Sequence, residues 1–228
     1  MSNAFTMKQN SSILRRDDPE KEPLVGHVKV TREDWINVAR DILVSDGVAE
    51  VKVMSISDRL DVSRSGFYWY FKSRKHLLDA LLDDWEARNT ATIVNHCALP
   101  SANITEALCN FFKCFVNGDL FDQGLDFAIR EWSRRSGTVR QRIDSADAAR
   151  LEAVTKMYLG HGYKTETADA KARILYFMQL GYHALEVRES METRMGRLSA
   201  YIEGFTGQPP DQEAVGAFKS YCLELTAR

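Results

Sequence analysis

The 228-residue chain is 44% hydrophobic and 10% aromatic, with a formal net charge of −2. Those values support packed cores and exclude a disordered chain, and the near-neutral total excludes binding to polyanions over the whole surface. No apolar run approaches the ~20 residues needed to cross a bilayer, and no secretory h-region opens the chain.

Only 13 glycines and 5 prolines occur, which favours long helices over a turn-rich β architecture. Cys97, Cys109, Cys114 and Cys222 form no C-x-x-C. They read as small buried hydrophobes in a reduced, cytoplasmic compartment.

In chain order, Met1-Ser2-Asn3-Ala4 reads as a cloning remnant. Residues 1–28 have no helical period and balance Lys8, Arg15, Arg16 and Lys21 against Asp17, Asp18, Glu20 and Glu22. A flexible tail is the expectation, and a minor-groove arm the alternative. The first helix is capped by Thr31 with Asp34 three residues on. Trp35, Val38, Ala39, Ile42 and Leu43 make one apolar stripe, and Asp46-Gly47 ends it.

A second helix is expected over Met54–Leu60, with Asp61-Val62-Ser63 as a turn and Ser63 capping a third helix from Arg64 to about Tyr70. Ser73 caps a fourth that runs to about Asn89. Beyond Pro100 the expected helices are Ile104–Asn117, Gln123–Arg135, Thr138–Leu159, Glu166–Ser190, Glu192–Glu203 and Asp211–Leu225. The fold class is all-α, without β alternation or internal repeat. Its divisions are a tail (1–28), a helix-turn-helix head (29–89) and a larger C-terminal helical region (90–228).

Charge is distributed unevenly. Between Lys52 and Lys75 six cations face two anions, a local +4, which leaves −6 for the rest of the chain. This basic focus coincides with the third helix. A major groove admits one α-helix, whose N-terminal residues reach base edges while cations and amides grip phosphates. Arg64 and Ser65 occupy its first turn, and Gly66 permits close approach of backbone or of the first helix. Phe67 and Phe71, four apart, should face the core. Tyr68, Trp69 and Tyr70 cannot all be buried in so short a helix, and exposed aromatics with a polar handle suit sugar–phosphate or thymine-methyl contact. Lys72 follows, and the capped start of the fourth helix, with Ser73 and Lys75, offers a positive dipole end to another phosphate.

From Thr31 to Trp85 the chain resembles the DNA-binding domain of the tetracycline-repressor (TetR) family. The resemblance rests on Ile56-x-x-x-Leu60-x-Val62-Ser63, then Phe67-Tyr68-x-Tyr70-Phe71-Lys72, Ser73-Arg74-Lys75 and Leu77-Leu78. One departure is Asp61 at the turn position usually given to glycine; Asp tolerates the left-handed conformation moderately well. The resemblance implies an all-helical homodimer in which Arg64 to Tyr70 read a near-palindromic operator on double-stranded DNA and Lys72 anchors to phosphate. It further implies C-terminal helices that dimerise and bind a small-molecule effector, so that the protein acts as a ligand-responsive repressor.

In the C-terminal region, Phe111, Phe112, Phe115, Phe127, Trp132, Met178, Tyr182 and His183 are candidates to line an apolar effector cavity. The helix Glu166–Ser190 is apolar around most of its circumference, as when one helix packs on its own subunit and on a partner. Phe177, Gly181, Ala184 and Leu185, with Phe218 and Cys222 of the last helix, are the candidate dimer face. His27, His76, His96, His161 and His183 form no metal-binding spacing, and no P-loop, G-x-G-x-x-G or G-x-S-x-G occurs. No enzyme activity, cofactor, metal or membrane partner is expected. A helical protein-interaction module without DNA binding is the other reading the residues leave open.

Overall fold

The computed structural model describes residues 30–226; the expected tail, its cloning remnant and its candidate minor-groove arm lie outside them. Among the described residues the secondary structure is helical, with no strand. The head comprises α1 (Arg32–Asp46), α2 (Val53–Leu60), α3 (Arg64–Phe67) and α4 (Arg74–Trp85). Beyond it come α5 (Ala91–Cys97), α6 (Ile104–Val116), α7 (Gln123–Ser133), α8 (Gly137–Gly160), α9 (Thr165–Ala184), α10 (Met191–Thr206) and α11 (Gln212–Thr226).

The caps explain the starts. The Asp34 amide donates to Thr31 Oγ1 (3.2 Å) and the Thr31 amide to Asp34 Oδ2 (2.7 Å), a reciprocal capping box. Ser73 caps α4 by accepting from the His76 amide. Trp35, Ile36, Ala39, Ile42 and Leu43 of α1 are buried against α2 and α4. Phe67 and Phe71 are fully buried and stacked at 5.3 Å, with Trp35 edge-on to Phe67 at 5.4 Å. The head is thus an aromatic-centred core.

Four ends differ from expectation, one being α10, which runs to Thr206 rather than Glu203. α3 closes at Phe67 because the Tyr68, Trp69 and Tyr70 amides donate to carbonyls three residues back, tightening the chain into a turn. α4 does not stop near Asn89: a π-helical stretch, Glu86–Thr90, carries the helical run into α5 as far as Cys97. α9 ends at Ala184, six residues early. There the Val187 amide reaches Tyr182 O and the Glu186 amide reaches His183 O, a Schellman closure with Glu186 left-handed at φ +47°. The same closure ends α2, with Asp61 at φ +53°. No glycine marks either stop.

α8 lies along α9, α5 packs on α6 and α8, and α10 packs on α6, α9 and α11. Their shared core includes Leu108, Phe111, Cys114, Tyr158, Leu175, Ile202 and Phe218. All four cysteines are buried free thiols, and burial pushes Cys97 and Cys109 up to about 12.

Candidate nucleic-acid interface

The segment that follows α3 presents two aromatic side chains outward. Tyr68 is 64% and Trp69 86% exposed, whereas Tyr70 is half-buried. Arg64, Ser65, Lys72, Ser73 and Lys75 are also exposed. The predicted contact residues are therefore exposed, except for half-buried Gly66 and Tyr70. Gly66 is not sterically required: a Cβ there would meet Trp35 Cζ2 at 3.8 Å, an ordinary contact.

The six cations of the basic focus divide sharply. Arg74 donates to the carbonyls of Val51 and Val48 at 2.5 Å each, which locks the chain before α2 and removes it from contact with a ligand. Lys52 pairs with Glu50, Arg59 with Asp46 and Lys75 with Asp79. Among the described residues only Arg64 and Lys72 of the six have no acceptor for their side chains. Unpaired, exposed cations beside exposed aromatics have the chemistry of a phosphate- and base-contacting surface.

Behind the head lies a buried polar cluster. The fully buried Arg150 donates to Asp126 Oδ1 (2.9 Å), Thr90 Oγ1 (3.1 Å) and the Tyr176 hydroxyl (3.3 Å). Trp85 Nε1 donates to the same Asp126 Oδ1 at 2.7 Å. Arg130 forks onto Asp147 (2.9 and 2.6 Å) and reaches Asp126 Oδ2 at 2.9 Å. Burial would raise the Asp126 carboxyl, but Arg150 and Arg130 outweigh it and hold it down to about 2. The Arg150 guanidinium also sits 5.2 Å over Trp85 and 5.7 Å over Phe121. Residues of α4, α7, α8 and α9 thus meet at one point. Arg40–Asp84 and the Asn89–Asp122 backbone bonds add to the same joint.

Sequence reasoning missed this cluster. A signal was present: Ile143, Ala146, Arg150, Val154 and Met157 form one buried stripe of α8, and an arginine in such a stripe demands partners.

An apolar cavity of about 60 Å³ lies among α6, α9, α10 and α11. Of the expected effector residues, Met178, Tyr182 and Phe112 line it. Phe111 and Phe115 are core, Phe127 is exposed and Trp132 half-buried; none of these lines the cavity. His183 stands one residue behind: the Gln179 amide Nε2 lies 2.7 Å from its Nε2, and Gln179 lines the cavity. Because an amide nitrogen only donates, His183 Nε2 accepts and the ring is neutral. Burial pushes this ring down to about 4. The α10 contributors Arg194, Met195, Leu198, Tyr201 and Phe205 were not among the expected effector residues.

The expected dimer face divides as well. Phe177 (51% exposed), Gly181, Ala184 and Leu185 (78%) lie toward the outside of α9. Phe218 and Cys222, by contrast, are buried in the protomer's own core, because α11 turns that side onto α6 and α10. They are not part of an outward face.

An all-helical chain with an outward-facing helix-turn-helix defines a class, that of DNA-binding transcriptional regulators. Residues 36–81 match the family model described as bacterial regulatory proteins, tetR family, so the head is similar to the DNA-binding domain of that family. Solved structures share its fold. One is a transcriptional regulator (TerR/AcrR family) from Aquifex aeolicus VF5, with TM-score 0.52 and 16% identity over 78% of this chain and 96% of that one. Another is the multidrug binding protein EbrR complexed with malachite green, at 0.55 and 17%, over 79% and 98%. Mycobacterium smegmatis AmtR matches at 0.53 and 16%, over 88% and 97%. No curated protein matches the chain.

Proposed function

We propose that the protein is a cytoplasmic, homodimeric repressor that holds a near-palindromic operator and is released by a small-molecule effector. The observation that carries this reading is the pair of exposed, unpaired cations, Arg64 and Lys72, flanking exposed Tyr68 and Trp69 in the chain of the head. In this reading Arg64 and Ser65 read base edges, Tyr68 and Tyr70 lie on the sugar–phosphate backbone, and Lys72 with the Ser73 end of α4 clamps phosphate. The dimer forms through the outer side of α9, where Ile174 (60% exposed), Phe177 and Leu185 leave an apolar stripe in need of cover.

Ligand response is supported by a continuous run of contacts from the cavity to the head. Gln179 bonds His183, His183 packs 6.0 Å from Phe121, Phe121 lies under Arg150, and Arg150 lies over Trp85 of α4. EbrR, which has this fold, is described as a multidrug binding protein. A ligand acts only through its differential affinity for two states, and ~10-fold release requires ~1.4 kcal/mol of coupling. The test is selection on random duplexes followed by fluorescence anisotropy on the selected site. A two-fold-symmetric site bound by two protomers supports the reading. An asymmetric site, or none, overturns it.

A further inference from the structure

The polar end of the cavity is unbalanced in charge. Glu189 is already engaged: it accepts from the Tyr182 hydroxyl (3.1 Å) and is ion-paired with Arg197. Arg194 lines the same cavity, stacked 5.3 Å over the Tyr182 ring, and forms no ion pair among the described residues. Glu189 is thus met by Arg197, which does not line the cavity, so Arg194 is left as the unmatched cation of the lining, and the neutral His183 behind Gln179 adds no charge. Opposite this end the wall is apolar and adaptable, with Phe112, Met178, Met195 and Phe205.

We propose that this cavity binds a small amphipathic carboxylate, its anionic head on the Arg194 guanidinium and its apolar body between the two methionines. A planar guanidinium suits a carboxylate because it offers two parallel N–H donors in a fixed fork. The same net cation disfavours ammonium ligands, and a neutral amide forfeits the charge-assisted part of the bond. At about 60 Å³ the cavity is smaller than the ~150 Å³ of a benzene-binding cavity. The ligand therefore enters by displacing the unbranched, flexible Met178 and Met195 side chains. That displacement lands beside Gln179, at the start of the contact run toward α4. The inference rests on reading the bundle as an effector domain and adds the ligand's chemical class.

The experiment is calorimetric titration of the full-length protein without DNA, using phenylacetate and octanoate, their neutral amides, and phenethylamine and octylamine. At least one carboxylate should bind ~10-fold or more tightly than its amide and amine, a difference of ~1.4 kcal/mol. Arg194→Gln should abolish that preference. Glu189→Gln, which removes the competing carboxylate, should tighten carboxylate binding several-fold, a gain that a folding defect does not produce. Equal or better binding of the amide or amine, absence of binding by both carboxylates, or an unchanged preference in Arg194→Gln overturns the inference. Anisotropy of the DNA complex with the same ligands is read separately. A carboxylate that binds but leaves DNA bound sustains the ligand class and overturns the release reading instead.

Discussion

The head and the bundle use the same residue types in opposite ways. In the head, Tyr68 and Trp69 face water and Arg64 and Lys72 lack acceptors. In the bundle, Arg150 has no exposed surface and Arg130 and Arg150 share the carboxylate of Asp126. A buried cation must be paired because the desolvation cost of a lone charge is several kcal/mol. An exposed cation has no such requirement and stays available. Partnering, more than composition, therefore separates residues that hold the fold from residues that meet a ligand. The contrast extends to aromatics: Phe67 and Phe71 form the core of the head while their neighbours Tyr68 and Trp69 point away from it.

The largest effect should come from breaking the buried cluster. Asp126→Ala leaves the fully buried Arg150 without a carboxylate, while Arg130 keeps Asp147, and should lower stability by about 3–5 kcal/mol, read as a shifted urea midpoint. Trp69→Ala, at an exposed position, should stay within about 0.5 kcal/mol of wild type while impairing DNA binding. Comparable stability losses in the two variants would break the contrast.

Next in size is the pH response. His183 titrates near its ordinary 6.5 when unfolded but at about 4 when folded. The unfolded chain thus binds the proton first, and stability is lost as pH falls from about 6.5 toward 4. The loss should total roughly 2–3 kcal/mol at ~1.4 kcal/mol per unit, discounted for partial exposure. The Asp126 contribution is lost only below that window, as pH falls through 3.8 toward 2. His183→Gln should flatten the unfolding curve between pH 6.5 and 4; an unaltered slope there would assign the loss to other groups.

Arg64→Ala should cost about 1–3 kcal/mol at the base pair it reads and relax preference at that position alone. Uniform weakening across sequences would move Arg64 from base reading to phosphate contact. The smallest effect is at Glu186, held left-handed at φ +47°. Glu186→Gly relieves that conformation and should stabilise the protein by about 0.5–1 kcal/mol in thermal unfolding.

The head was legible in the sequence because its determinants are local. Thr31 and Asp34 are three residues apart, Phe67 and Phe71 four, and the Thr31 and Ser73 caps were read from nearby residues, whereas Ser63 precedes α3 without a side-chain cap bond. The bundle was legible in its helices but not in its pairings. Trp85 meets Asp126 across 41 residues and Arg150 meets Thr90 across 60, separations that helical periodicity does not encode. The end of α9 was missed for a different reason: an acidic residue occupies the left-handed stop where glycine is the usual mark. On α9, Phe177 and Leu185 of the expected dimer face are exposed in the protomer. On α11 the apolar side holding Phe218 and Cys222 turned out to serve the protomer itself, since periodicity identifies an apolar face but not what covers it.

The central claim is that the unpaired cations of the head grip DNA, and the salt dependence of operator binding tests it most directly. On a duplex recovered by random selection, log affinity should fall steeply and linearly with log salt, and Lys72→Ala should reduce that slope by about one unit. The same slope in wild type and Lys72→Ala, or binding indifferent to salt, would contradict the account.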